Sequence, residues 1–473
     1  MLLCIRNNNL TGQEWSRCPV VSSSMIFYYI YTLLNPNNSK QMKINSSIFA
    51  RLSVLIVVLN FAISGIIYGQ DSIKVSKDAI TEKDLSDVIR AALHKPPKNK
   101  PESAGSLLLL PIIGSNPATG FMLGVGGQYA FKVPGSTLYS AFMGSVQFTT
   151  KSQLLFLLKN NIYTKNNRFF LSGDWRFQIF SQDTYGLGTT SPEGGIIDYQ
   201  YNILGLETTI DSLAQPMEFD FARFHQSVSY KIIDGFYAGL GYNFDSYFKI
   251  VDEKLRLNPG DTLLTSHYGY NTKYGFKTDQ YYSSALNVNL ILDTRDNMIN
   301  AYKGIYAMVS WRGGLKILGN KENTNMFQFE WRSFHGLSKS SPRHLIAFWL
   351  MGNFSWAGDF PYMILPATAY DQRGRSARGY TQGRFRGNSL LYGEAEYRFP
   401  LSKPGGILGG VLFANATTAT NPALDLKLFG SVKPGYGFGL RIMADKKSHT
   451  NLAIDYGLGN RSSGFYLAAS ETF

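Results

Sequence analysis

The sequence predicts an all-β fold, a sixteen-stranded antiparallel β-barrel that crosses a membrane with its strands and carries a short periplasmic segment before the first strand. Composition points there first: 14% aromatic residues, 46 glycines and only 17% charged residues suit many short strands joined by turns. Hydropathy points the same way. A mean of -0.12 is too polar for a bundle of membrane helices, but a barrel strand that alternates polar and apolar side chains averages to near neutrality while still offering lipid an apolar face. The third observation is period two itself, clearest in SALNVNLILDTR, where Leu286, Val288, Leu290 and Leu292 alternate with Asn287, Asn289 and Asp293.

In chain order, residues 1–41 read as an upstream extension ahead of the true initiator, Met42. Residues 42–69 read as a signal peptide, because Lys43 and Arg51 precede the apolar run LSVLIVVLNFAISGIIYG without an acidic residue and Gly69 offers a small residue for cleavage. Residues 70–105 form a periplasmic N-terminal segment. In it Thr81 and Asp84 can cap a short helix that places Leu85, Val88, Ile89, Ala92 and Leu93 on one face, and the proline-rich KPPKNKPE ends that helix. Two fates stay open for the segment, a frayed leader or a helix docked under the barrel or on a partner.

The barrel itself covers 106–473. Strands are expected at 106–113, 121–131, 138–150, 152–163, 168–180, 217–233, 236–250, 283–295, 304–312, 325–337, 344–356, 389–401, 406–417, 434–444, 450–458 and 464–473. Many reach the roughly 9 to 11 residues that a tilted membrane strand needs. Every second connection is tight: KVPGST, KNN, Asp234-Gly235, DNMINAYK, SKSSPR, SKPGG and DKKSH. Most of the others are longer, notably 181–216, 251–282, 357–388 and 418–433. Short turns at one rim and long loops at the other are the asymmetry of bacterial outer-membrane barrels, with the short side periplasmic. An even strand number then returns both ends of the barrel to the periplasm. Within the first strand, Pro111 in SLLLLPIIG is expected to interrupt pairing and weaken the seam with the last strand.

Several function classes are disfavoured. The net charge of +13 falls to about +9 once the five basic residues and one acid before Gln70 are set aside, and no basic cluster interleaves with stacking aromatics, so no nucleic-acid partner is expected. Attraction to outer-membrane lipid and anionic lipopolysaccharide is the natural reading of the surplus. Cys4 and Cys18 both fall in the excluded extension, which leaves the mature chain no thiol for a disulfide or a metal. Neither a G-x-S-x-G elbow nor Cys/His metal spacing occurs; His225 and Ser227 share a strand face, but no acid partner can be assigned to them. No catalytic residue, cofactor or metal is expected.

Specific motifs add to this. RSARGYTQGRFRGNSLLYGEAEYRFPL, from Arg375 to Leu401, resembles the sixth extracellular loop and twelfth strand of the BamA/TamA-like outer-membrane assembly factors. DTRDNMINAYKG is similar to a second stretch of that superfamily, and PGYGFGLRI, NLAIDYGLG and GFYLAASETF resemble its last three strands. The resemblance implies a sixteen-stranded barrel whose loop tip, Arg378-Gly379-Tyr380, folds into the lumen. It implies that Arg378 pairs with Glu396 on the lumen wall, while the position of a second family acid is held by Asn415, so that one ion pair would remain and a neutral hydrogen bond would replace the other. Phe473 looks like the C-terminal aromatic by which the assembly machinery receives barrel substrates. About 37 residues separate Gln70 from the first strand, too few for the POTRA domains, of roughly 75 residues each, that such factors carry.

The implied function is therefore that of a superfamily member without POTRA domains, acting in outer-membrane protein or lipid insertion or export, or as an integral subunit of an outer-membrane protein complex. The alternative is a passive pore or a structural anchor barrel. Both place the chain in the outer membrane with its termini in the periplasm.

Overall fold

The computed structural model describes residues 82–96, 105–116, 120–189, 196–197, 211–212 and 214–473. The extension at 1–41 and the signal peptide at 42–69 lie outside the described residues.

Sixteen strands form one antiparallel sheet in which each pairs with its neighbours in chain order. They are β1 (Ser106–Asn116), β2 (Gly120–Phe131), β3 (Ser140–Thr149), β4 (Leu154–Tyr163), β5 (Phe169–Thr184), β6 (Gln215–Ile233), β7 (Phe236–Asp252) and β8 (Tyr281–Asp293). There follow β9 (Gly304–Gly314), β10 (Thr324–Gly336), β11 (Leu345–Ala357), β12 (Ser389–Pro400), β13 (Leu408–Ala419), β14 (Lys433–Asp445), β15 (Thr450–Gly459) and β16 (Ser462–Ala468). Two short hairpins, 196–197 with 211–212 and 256–258 with 261–263, decorate the long loops.

The sheet is a barrel with its polar face inward. Along β8 the apolar Leu286, Val288 and Leu290 are 48%, 43% and 47% exposed, whereas Asn287 and Asn289 between them are 6% and 5% exposed. A water-soluble sheet would show the reverse, so the exposed band is one that lipid covers. Inside, the asparagines satisfy one another: Asn289 donates to Asn287 at 2.6 Å, and Asn287 donates to Asn243 on β7. The second and fifteenth strands are tied across the interior, where Gln128 on β2 donates to Thr450 on β15 at 2.9 Å.

The two rims differ in how they are closed. At the short-turn rim the connection between β8 and β9 folds inward, burying Met298 and Ile299 against Tyr163, Phe170 and Tyr237. Beneath that rim lies helix α1 (Leu85–Ala92), started by a capping box in which Asp84 accepts from the Asp87 amide at 3.0 Å and Asp87 accepts from the Asp84 amide at 3.2 Å. It docks through its polar end. Lys446, in the turn between β14 and β15, reaches Asp87 at 2.7 Å, and the Lys83 amide donates to the Gly405 carbonyl at 2.8 Å. Val88, Ile89 and Leu93 remain exposed. At the other rim a second helix, α2 (Ser266–Lys273), is capped by Thr265 and packs Tyr270 against Tyr362 from the loop between β11 and β12.

Two expectations about the barrel ends need correction. Pro111 does not interrupt β1: the strand runs for 11 residues and keeps register with β2 throughout, Pro111 opposite Val125. On an edge strand half of the N–H groups face away from the one partner, and a proline is accommodated there. The last strand, expected at 464–473, is only seven residues long and stops at Ala468. The final residues leave the wall because buried partners inside, Arg441 for Glu471 and Arg398 for Phe473, compete for them. Among the described residues β1 and β16 stand at the two ends of the sheet order, with no ladder between them.

Candidate functional site: an ion-paired loop in the lumen

The loop between β11 and β12 descends into the barrel, and its course is set by local hydrogen bonding. The Asp371 carboxylate gathers the backbone amides of Arg373, Gly374, Arg375 and Ser376 at 2.7 to 3.2 Å, together with the Ser376 hydroxyl at 2.7 Å. That wraps 371–376 into a compact turn. Farther on, Arg386 is buried and donates to three carbonyls of the descending limb, Tyr362, Met363 and Leu365, at 2.9 to 3.2 Å, tying the two limbs of the loop together. Gly379 has φ +103°, and a Cβ there would sit 2.6 Å from the Leu458 carbonyl oxygen on β15. Only glycine allows the tip to lie this close to the wall.

At the tip, Arg378 is 1% exposed and faces three carboxylates. Its guanidinium bonds Glu394 at 2.6 Å and Asp455 at 2.7 Å, and it also contacts Glu396. The same group lies 3.6 Å over the ring of Phe413. Tyr380 donates to the Pro434 carbonyl at 2.5 Å and packs edge-on against Phe385. Asn415 is close by, but its role differs from expectation: its amide donates to the Arg378 carbonyl at 3.0 Å and to Glu394 at 3.4 Å.

The expectation of one ion pair and one neutral hydrogen bond to Arg378 is thus corrected. Three acids take part, two of which sequence reasoning missed. Glu394 had a signal: it lies two residues before Glu396 in GEAEY, so both point to the same side of β12. Asp455 had none, because its position opposite the loop tip depends on the barrel curving β15 around to meet it.

The network extends beyond the tip. Arg398 holds Glu396 at 2.6 Å and donates to the backbone carbonyl of Phe473 at 3.2 Å. Arg441 joins Asp455 at 2.5 Å to Glu471 at 2.7 Å, and Asn451 donates to Glu471 at 2.6 Å. Phe473, 1% exposed, sits against Trp349 and Phe334 with Arg398 over its ring. Loop tip, wall and C-terminal tail therefore form one buried unit. Its chemistry is positional: planar guanidiniums with several donors each lock three chain segments that have no ladder in common.

His225 and Ser227 prove to be engaged separately. His225 meets Asp245 at 2.8 Å, an acid partner that sequence reasoning could not assign, while the Ser227 hydroxyl donates to the Ser172 carbonyl at 3.3 Å. The oxygen that would have to pair with the imidazole is thus directed elsewhere.

An inside-out sixteen-stranded sheet with a charged loop locked in its lumen defines an outer-membrane β-barrel protein. Residues 252–473 match the model of the Omp85 superfamily domain. Among solved structures it is similar to BamA from Haemophilus ducreyi lacking POTRA domains 1–3, at 14% identity over 77% of this chain and 68% of that one, with a TM-score of 0.44. It is also similar to CdiB from Acinetobacter baumannii, at 10% identity over 75% of this chain and 56% of that one, with a TM-score of 0.42. No curated protein matches.

Proposed function

We propose that this barrel acts in the insertion or export of outer-membrane proteins or lipids, by itself or as an integral subunit of a larger assembly, and that it works at the seam between β1 and β16 with both termini in the periplasm. The observation that carries this reading is the seam. β16 has only seven residues, no ladder joins it to β1 among the described residues, and the tail beyond Ala468 is anchored inside the barrel instead of extending the wall. Unpaired backbone groups along such an edge can template an incoming strand. The ion-paired loop supports the reading by tying β12, β14 and β15 together on one side of the seam.

The test uses cysteines in a chain whose two native ones, Cys4 and Cys18, lie outside the barrel. Leu110→Cys with Leu467→Cys, bridged by a short cleavable dithiol crosslinker in liposomes, is expected to abolish the protein's acceleration of folding of a denatured outer-membrane barrel, and reduction should restore it. Val288→Cys with Trp311→Cys, across the paired β8 and β9, is the control. Full activity with the seam locked would overturn the proposal.

A further inference from the structure

Behind the seam lies a cavity of about 820 Å³, bounded by β1 to β4, the lumen loop and the C-terminal segment. Its volume is in the roughly 300 to 1,000 Å³ range of small-molecule sites. We infer that it is a binding site for the phosphate headgroup of an amphiphile whose acyl chains lie at the seam.

Five cations face the cavity: Lys159, Arg295, Arg332, Arg373 and Arg375. Two are neutralised locally, Arg295 by Asp293 at 2.7 Å and Arg332 by Glu330. The other three have no carboxylate within ion-pair distance among the described residues. Arg375 makes one long bond of 3.4 Å to the Leu467 carbonyl, and its Nη1 is buried without a partner. Among the described residues the side chain of Arg373 makes no hydrogen bond, and Lys159 is 7% exposed. Nearby acids are already occupied: Asp371 by the loop amides, Asp174 by Arg176 at 2.6 Å and Glu471 by Arg441. Unpaired cations in a confined space are costly, and a multivalent oxyanion is the group that relieves three at once.

The opposite side of the cavity supplies the second half. Leu110 and Ile112 of β1 and Phe465 and Leu467 of β16 line it, so the apolar surface falls where, among the described residues, no ladder joins the two ends of the sheet. Cations at the back and alkyl-compatible side chains at the membrane opening fit one molecule with an anionic head and apolar chains. A free anion would use only the first set.

The inference deepens the proposed function by naming a ligand class, but its test measures binding with no client present. Barrel folded in uncharged maltoside is titrated calorimetrically with dihexanoyl phosphatidic acid, dihexanoyl phosphatidylcholine and inorganic phosphate. Phosphatidic acid should bind at least tenfold more tightly than either of the others. Arg373→Gln and Lys159→Met should each weaken it about tenfold or more. Neither residue holds an ion pair, and heat-modifiable migration confirms that each variant is folded. Equal binding of the two lipids, or no effect of Arg373→Gln, would overturn the site; inorganic phosphate binding as tightly as phosphatidic acid would overturn the amphiphile in favour of a free anion. A protein that binds phosphatidic acid but folds no client keeps this inference and loses the proposed function, and the converse separates them equally well.

Discussion

Arg378 gathers three carboxylates, Glu394, Glu396 and Asp455, in a space from which water is excluded, so its removal matters more for what it leaves than for what it takes away. Arg378→Ala would strand those acids and should lower the stability of the folded barrel by roughly 3 to 5 kcal/mol, measured by urea unfolding in detergent. A double-mutant cycle with Glu394→Gln should give a coupling above about 1 kcal/mol; a coupling near zero would mean that the pair is solvated. Asn415 leads to the opposite conclusion from the one its position in the motif suggests. Resemblance makes an acid there look harmless, but the structure uses the amide as a donor to the Arg378 carbonyl and sets it 3.4 Å from Glu394. Asn415→Asp removes that donor and adds a like charge, so it should destabilise by about 1 to 3 kcal/mol, read from the same unfolding curves. An unchanged midpoint would show that Arg378 can take a fourth carboxylate.

Among the elements, α1 docks through the pair from Asp87 to Lys446 and the bond from the Lys83 amide to the Gly405 carbonyl, while its apolar side chains stay exposed. Burial raises the Asp87 pKa, but the hydrogen bonds from Lys446 and the Asp84 amide outweigh it, and the net shift is below the ordinary value of 3.8. A carboxyl whose folded pKa is depressed stabilises docking above its unfolded value and loses that contribution as pH falls through the lower, folded value. Amide-exchange protection of α1 should therefore be flat from neutrality down to about pH 4 and drop below it. Lys446→Ala should remove the acid-sensitive step, and the contribution is small, roughly 0.2 to 1 kcal/mol, since the pair is partly exposed. Acid-insensitive protection would mean that α1 is held by something other than this pair. β16 shows how elements compete. The chain does not extend it past Ala468, because Glu471 and Phe473 find buried partners in Arg441 and Trp349 and leave the sheet.

At the scale of the whole molecule, the even number of strands puts both ends of the barrel on one side, and the proposed periplasmic placement predicts that protease cuts between α1 and β1 only in permeabilised cells; cleavage from outside intact cells would reverse the orientation. The barrel was largely legible in the sequence, since strands such as β8 and β9 have a face that lipid must cover and a face that polar side chains must fill, and period two records this directly. The tight turns were legible for a similar reason: Asp234-Gly235 needs a residue at φ +77°, and glycine supplies it. The loop tip was visible as a motif, but not all of its partners. Local chemistry in the chain determined the strands, their register, the short and long rims and the descent of Arg378. What tertiary structure alone decided was which charges meet: Asp455 opposite the tip, Asn415 as a donor, Phe473 inside and three cations unpaired behind the seam. Those depend on how far the sheet curves before its ends approach, a distance summed over sixteen strands that no local run of residues encodes.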